Sequence, residues 1–215
     1  MGKKLELFIN PFFYVAGWQS FAIGMAVALG TALVAGFSGT YFPDVLSVKV
    51  GVRLPFGALM VQWCINWGIV SLLMYVAGLI FSNSRPRFID VFGTQGMARL
   101  PYFFAAFLPF VPAMEKLGKM LVGKHLGVGE TVSMSVGETT LAIAQIILTI
   151  AFTVWMVAWM YRAFSVSVNL KGGKAVGIFV GVLVISVLVT MGISWYLWME
   201  HMVVTDVWQA PLRDR

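Results

Sequence analysis

The stretch "MYRAFSVSVNLKGGKAVGIF", residues 160–179, decides the fold class because it joins two long apolar runs. The runs on either side, 139–161 and 175–199, contain no charged residue. A helix needs about 20 apolar residues to cross the hydrocarbon core of a bilayer, so each run is long enough. The glycine pair does not fit the phosphate-loop pattern GxxxxGK[ST]. We interpret the stretch as a tight connector between two membrane-spanning helices. Its basic residues, with no acidic residue among them, are Arg162, Lys171 and Lys174.

The same block pattern covers the rest of the chain. Residues 7–43 and 54–84 are also free of charge, and the whole chain is 60% hydrophobic and 11% charged. A soluble domain of this length needs more charged residues to cover its surface. The sequence therefore predicts an all-α, multi-pass membrane helix bundle with about five transmembrane helices, the third broken by prolines, in one integral membrane domain, 1–215. After an interfacial lead-in at 5–14, the predicted spans are 16–37, 56–81, 97–120, 141–164 and 175–199.

The third predicted span is the least regular. Its uncharged core, 100–114, holds only 15 residues. Proline removes helical hydrogen bonds, which neighbouring protein groups must replace inside a membrane. One interpretation is a kinked span whose basic residues extend to the membrane surface at its ends. The alternative is a re-entrant segment, and we favour the kinked span. The residues concerned are Pro101, Pro109 and Pro112 in the core and Arg99, Lys116 and Lys119 at the ends.

The net charge of +6 indicates membrane topology rather than nucleic-acid binding. Basic loops favour the cytoplasmic side of a membrane and the headgroups of anionic lipids. A nucleic-acid surface needs a folded domain with exposed aromatic and basic residues, and no soluble segment here is large enough for one. We therefore expect the acid-free connector and the N-terminus on the cytoplasmic side and the C-terminal tail on the other.

Small residues recur at every fourth position in two of the predicted spans. Such stripes let neighbouring helices approach closely, which is the main source of helix association in lipid. We predict that both stripes are helix-packing surfaces and that the first is a candidate partner of the second. The stripes are Gly24, Ala28, Ala32 and Gly36 in the first span and Gly173, Gly177 and Gly181 in the fifth.

Two amides in the second span, Gln62 and Asn66, lie at helical spacing beside Trp63 and Trp67. Tryptophans at this depth commonly mark the membrane interface. The amides would either line a polar site or hydrogen-bond a neighbouring helix. We favour the packing interpretation.

The sequence offers little support for catalysis or metal binding. A transporter usually places ionisable residues within its spans, and the interiors of the predicted spans have none. The string "GFSG", 36–39, resembles the serine motif of rhomboid-type intramembrane proteases, and His201 is predicted at the same membrane face as Ser38. His125 and His201 have no partners at metal-ligand spacing, and Cys64 is the only cysteine. We predict no catalytic residue, no cofactor and no metal.

Three pieces of the chain together resemble the Yip-domain family, membrane proteins named for their interaction with Ypt/Rab GTPases. They are "FINPFFY" (8–14), "FGTQGMARLPYFFAAFLPFVP" (92–112) and "YRAFSVSVNLKGGKAVGIFVGVLV" (161–184). The chain is similar to the compact prokaryotic members, which implies the bacterial cytoplasmic (inner) membrane as its location. The resemblance implies five spans with a cytoplasmic N-terminus, and it supplies no catalytic residues.

We therefore expect a non-enzymatic integral membrane protein of Yip-like type, a scaffold or an accessory subunit of a membrane complex. The expected partners are the lipid bilayer, its anionic lipids and another membrane protein, with no nucleic acid. The alternative is a small transporter or permease subunit, and the third hypothesis is an intramembrane serine hydrolase.

Overall fold

The structure, a computed structural model, describes the backbone of residues 10–126 and 133–205 and the side-chain surroundings of residues 10–124 and 133–197. The described residues form seven α-helices, two short 3-10 turns and a two-stranded hairpin. The helices are α1 (Gly17–Ser38), α2 (Phe56–Phe81), α3 (Phe88–Met97), α4 (Leu100–Ala105), α5 (Ala113–Leu126), α6 (Val136–Ser167) and α7 (Gly172–Thr205). The 3-10 turns are Pro11–Phe13 and Leu108–Phe110, and the antiparallel strands are β1 (Thr40–Tyr41) and β2 (Lys49–Val50).

The predicted all-α membrane bundle is confirmed. Helices α1, α2 and α6, together with Gly172–Leu197 of α7, are each long and apolar enough to cross a membrane. A fifth candidate span consists of two parts, Phe88–Phe110 and Ala113–Lys124, which meet at an angle of 70°. The described part of the chain therefore has four continuous spans and up to one broken span.

The predicted bounds of the third span, 97–120, are wrong. The helical segment already begins at Phe88, with α3. Helix α5 then lies at 70° to the preceding part of the segment, Phe88–Phe110. The prolines explain the breaks: Pro101 lies in the first turn of α4, where its missing N–H costs little, and Pro109 lies in the second 3-10 turn. Pro112 directly precedes α5. The segment from 88 to 126 is thus divided into three helices, and prolines lie at or next to the starts of the second and third.

Contacts between distant segments define two ends of the bundle. At the Arg85 end, α2 ends beside the connector between α6 and α7, because the Ser82 hydroxyl donates to Val168 O at 2.6 Å. At the Lys116 end, Lys116 forms an ion pair with Glu138 at the start of α6. The third segment starts at the Arg85 end with α3 and reaches the Lys116 end with α5, so it passes from one end of the bundle to the other.

The helix boundaries follow local capping signals. Ser135 and Glu138 form a reciprocal capping box that starts α6. Gly39, with φ of 70°, ends α1 in the left-handed conformation that glycine adopts at least cost. In the connector before α7, Asn169 and Gly172 also have positive φ angles, of 52° and 70°. The connector is therefore a tight turn, as its glycine pair predicts.

The first small-residue stripe packs, but not against α7. A Cβ on Gly24 would lie 3.0 Å from the backbone of Gly96, so α1 crosses α3 almost backbone to backbone. Ala28 and Ala32 of the stripe are also buried, and a Cβ on Gly36 would make an ordinary contact with Leu59. The glycines that α1 meets are Gly93 and Gly96 of α3, which lie outside the predicted stripes.

The second stripe does not meet the first. A Cβ on Gly173, Gly177 or Gly181 would meet no described atom within 4 Å, so this face of α7 lies on the surface of the bundle. The buried face of α7 lies on other positions, including Ala175 and Phe179. The predicted pairing of the two stripes is wrong because α7 packs on α2 through its opposite face.

Part of the predicted interfacial lead-in enters the bundle. Of 5–14, residues 5–9 lie outside the described part of the chain. Phe12 is buried and packs edge-on against Trp159 of α6, with ring centroids 5.8 Å apart, whereas Phe13 and Tyr14 are exposed. The turn at Pro11–Phe13 therefore inserts one aromatic ring into the core rather than lying wholly on the surface.

Candidate functional site

The loop between α1 and α2 folds back into the bundle instead of remaining at its surface. Residues 40–46, which we call the plug, begin with β1 and are almost entirely buried. Val45 is fully buried, and Asp44 is 2% exposed. The plug is largely apolar, "TYFPDVL", which explains why it leaves water. Its backbone carbonyls then need donors from the surrounding protein.

Two amides of α2 supply these donors. Gln62 Nε2 donates to Pro43 O at 2.8 Å, and Asn66 Nδ2 donates to Phe42 O at 2.9 Å and to Asp44 O at 3.0 Å. Residues four apart lie on the same face of a helix, so both amides point at the plug. They also bond each other, Gln62 Nε2 to Asn66 Oδ1 at 3.1 Å. The pair acts as one donor surface for the plug.

Helix α7 reaches the same carbonyl. The Ser194 hydroxyl donates to Pro43 O, and Gln62 Nε2 donates to Ser194 Oγ at 2.7 Å. The prediction that the amides bond a neighbouring helix is therefore confirmed for Gln62. The plug carbonyls, which are the other main partners of the amides, were not predicted, because a loop between two spans normally runs over the protein surface.

A buried arginine lies beside the amides. Arg99, between α3 and α4, is 2% exposed, and its Nη2 donates to Asn66 O at 2.9 Å. Its guanidinium lies over the ring of Trp63, 5.3 Å from the centroid, where a cation is attracted by the π electrons. The prediction that Arg99 extends to the membrane surface is therefore wrong. The segment starts nine residues earlier than predicted, at Phe88, and this moves Arg99 from its end into its interior.

The other two basic residues predicted at the ends of the third span form ion pairs. Lys116 pairs with Glu138, and Lys119 pairs with Glu115 at 2.7 Å, one helical turn away on α5. Both pairs are partly exposed at the Lys116 end. These two lysines therefore lie where the sequence predicts basic residues, at an end of the bundle.

Asp44 gives the cluster an opposite charge. Its Oδ1 accepts hydrogen bonds from the backbone N–H groups of Leu46 at 2.8 Å and Ser47 at 2.9 Å, which fixes the turn that ends the plug. It acts on Arg99 electrostatically, without an ion pair between them within 4 Å. Two opposite charges thus lie in the same buried cluster and stabilise each other at a distance.

Tyr102 of α4 completes the enclosure of the plug. Its hydroxyl donates to Leu46 O, and its ring stacks on Phe42 with centroids 5.0 Å apart. The plug is therefore held by α2, α4 and α7. Five of these hydrogen bonds end on plug backbone carbonyls, so the buried polar side chains hold the loop in place.

A small cavity lies between α1, α2 and the plug. Its volume is about 10 Å³, roughly the room that one water molecule needs. Thr31, Gln62 and Trp63 contribute to its lining. The Thr31 hydroxyl is buried and has no hydrogen-bond partner among the described residues. Most of the lining is apolar, and the cavity has room for one water but not for a metabolite.

The structure places Ser38 away from any described catalytic partner. Its hydroxyl lies 2.6 Å from Thr40 Oγ1, which in turn donates to Ala106 O at 3.4 Å. The side chains of His125 and His201 lie outside the described part of the chain. Among the described residues, no group of three or more His, Cys, Asp or Glu side chains is positioned to hold a metal ion. The Ser38 hydroxyl thus belongs to a short chain of hydrogen bonds at the end of α1.

The residues of the predicted cytoplasmic basic loop lie at the Arg85 end. Lys174 Nζ donates to Phe81 O at 3.0 Å and so joins α7 to the end of α2. Lys171 is exposed, and Arg162 is half-buried on α6. The connector therefore packs on the loop after α2, a contact that the sequence did not predict.

Comparison of the chain with protein-family models, with curated proteins and with solved structures gave no match. The resemblance to the Yip-domain family therefore stays a prediction.

Proposed function

We propose that this chain is a non-enzymatic membrane protein of Yip-like type, a scaffold or an accessory subunit of a membrane complex. One observation carries the proposal: the buried polar side chains hold the plug. Gln62, Asn66 and Ser194 serve its backbone carbonyls rather than lining an open site. The adjacent cavity of about 10 Å³ leaves room for one water. An interior used in this way supports a structural role.

We propose that the Arg85 end faces the cytoplasm, in the bacterial inner membrane. Support comes from the charges at the two ends. At the Arg85 end, Asp90 is the single acidic residue among the described positions. At the Lys116 end, by contrast, Lys116 and Lys119 are each paired with a glutamate. Basic residues in short loops near the ends of spans favour the cytoplasmic side, and the two described loops at the Arg85 end, 82–87 and 168–171, carry basic residues and no acidic one.

A second candidate, a small transporter or permease subunit, is favoured by the buried charges. Ionisable residues inside a membrane bundle often mark the path of an ion or a proton. Arg99 and Asp44 are each 2% exposed. For transport through this cluster, the plug would have to leave its hydrogen bonds to Gln62 and Asn66.

Photocrosslinking in the native membrane tests the scaffold role. A photoreactive residue placed at Val180 on α7 or at Ile147 on α6 lies on an exposed apolar face in each case. We expect one discrete protein adduct from one face and only lipid adducts from the other. Lipid adducts alone from both faces, with saturable solute uptake by the purified protein in liposomes, would support the transporter instead. Labelling of Ser38 by a fluorophosphonate, lost in Ser38→Ala, would support the hydrolase.

A further inference from the structure

Two distant segments bring four basic residues to the Arg85 end. The loop between α2 and α3 contributes Arg85 and Arg87, and the connector between α6 and α7 contributes Lys171 and Lys174. All four residues are exposed. We call this group the basic patch.

The two segments are held together by a set of hydrogen bonds that we call the clasp. The hydroxyls of Ser82 and Ser84 both donate to Val168 O, at 2.6 Å and 3.2 Å. Lys174 Nζ donates to Phe81 O at 3.0 Å. These bonds join residues 84 to 93 positions apart in the sequence. The clasp fixes the spacing of the basic patch, so less side-chain and loop entropy is lost when an anion binds.

Among the described residues, no acidic side chain forms an ion pair with the basic patch. The two ion pairs of the described residues, Lys116–Glu138 and Lys119–Glu115, both lie at the Lys116 end. Asp90 is half-buried, and its Oδ1 would lie 3.3 Å from a Cβ on Gly17, so the carboxylate faces the start of α1. The described acidic residues therefore leave the positive charge of the basic patch uncompensated.

The surface beside the basic patch is apolar. Ile80 and Phe81 are exposed at the end of α2, and Val176 and Val180 are exposed at the start of α7. A free anion gains nothing from these side chains, whereas a phospholipid places acyl chains next to its phosphate. The combination of fixed positive charge and bordering apolar surface is the chemistry of a lipid headgroup site.

We propose that the basic patch binds the headgroup of an anionic phospholipid, whose acyl chains lie along the exposed surfaces of α2 and α7. This inference goes beyond the scaffold role and does not depend on it. It requires only that the bundle is embedded in a membrane.

Native mass spectrometry of the full chain in uncharged detergent tests the proposal, with a phosphatidylglycerol, a phosphatidylcholine of equal chain length and inorganic phosphate as probes. We expect the phosphatidylglycerol to bind more tightly than the other two. One triple variant removes charge from the basic patch: Arg85→Gln, Arg87→Gln and Lys171→Gln. A matched control removes three exposed charges from the other end: Lys49→Gln, Arg53→Gln and Lys124→Gln.

The basic-patch variant should bind phosphatidylglycerol about 100-fold more weakly, since each basic residue near an anionic headgroup contributes about fivefold. The control should bind it as the unmodified protein does. Equal losses in both variants, or equal affinity for the two lipids, would overturn the proposal. Equal affinity for inorganic phosphate would do the same, because the site would then take a free anion.

A third variant tests the clasp without changing any charge. Ser82→Ala with Ser84→Ala removes both hydroxyls that bond Val168 O. It should lower the preference for phosphatidylglycerol over phosphatidylcholine severalfold. If the charge variant loses its helical circular dichroism, the clasp variant decides: an unchanged lipid preference in it would refute the proposal.

Discussion

Replacing Gly93 by alanine should force α1 and α3 apart. A Cβ on Gly93 would lie 2.7 Å from Phe21 N and 2.8 Å from Gly17 O, and would also contact Ser20 Oγ. Non-bonded carbon contacts are comfortable at about 3.5 Å, so the two backbones must separate by roughly 0.7 Å. Two of the opposing atoms belong to the backbone of α1, which cannot rotate away as a side chain does.

The size of this effect follows from the loss of contacts along the whole crossing. A gap of 0.5–1 Å removes about a quarter to a half of the dispersion energy of each contact it opens. Overpacking typically costs about 1–3 kcal/mol. In a chain of this length, about 1 kcal/mol shifts the midpoint of thermal unfolding by roughly 2–4 °C. We therefore expect Gly93→Ala to unfold about 2–12 °C below its control.

The matched control is Gly177→Ala. Both substitutions place alanine inside a helix, where it is favoured over glycine by about 0.5–1 kcal/mol, so this gain cancels in the comparison. A Cβ on Gly177 would meet no described atom within 4 Å. Thermal unfolding of the two purified variants in the same detergent measures the difference. Equal midpoints would refute the argument that α1 and α3 cross backbone to backbone.

Two further predictions concern the plug and the topology. Asn66→Leu removes the donor to two plug carbonyls and should destabilise the protein by about 1–3 kcal/mol, the cost of leaving buried acceptors unpaired. Cys64→Leu, at an exposed position on the same helix, should leave the unfolding midpoint unchanged, and equal shifts in the two variants would contradict the role of the amide. In a Cys64→Ser background, cysteines placed at the exposed positions Asn83 and Ser133 should react with impermeant maleimide from opposite sides of the membrane, the one at Asn83 from the cytoplasm. Reaction of both from one side would show that the third segment re-enters.

The sequence predicts the long helices well because their signal is local. The span predicted at 56–81 coincides with α2, and the span predicted at 16–37 differs from α1 by one residue at each end. Both helices follow uncharged blocks, and hydropathy alone identifies such blocks. For these two helices, the length of the uncharged block was therefore enough to predict the span.

The sequence predicts the third segment poorly because neighbouring helices shelter its polar groups. Residues 88–96 contain the polar residues Asp90 and Gln95 and lie outside the predicted span, yet Gln95 is buried and its Nε2 donates to Met160 O at 3.0 Å. Helix α3 packs against α1, α2 and α6. Residues distant in the sequence can therefore hydrogen-bond polar side chains that lower the hydropathy of the segment itself. The buried position of Arg99 follows from the same earlier start.

The plug was missed for a related reason. Its apolar residues were visible in "TYFPDVL", but a loop between spans is normally assigned to the surface. The donors that allow it to be buried belong to Gln62, Asn66 and Ser194. Of these, the two amides were identified as polar groups of interest, and Ser194 carried no local signal.

The Ser194 bond has a consequence for the order in which the chain assembles. Pro43 leaves the ribosome 151 residues before Ser194. At 5–20 residues per second, about 8–30 s pass between the two during synthesis. Throughout that interval the amides of α2 can already hold the plug, but its central carbonyl lacks the hydroxyl supplied by the final helix. The newly made protein therefore forms its last plug hydrogen bond only when its final span arrives. A chain that stops before α7 leaves Pro43 O without the Ser194 hydroxyl.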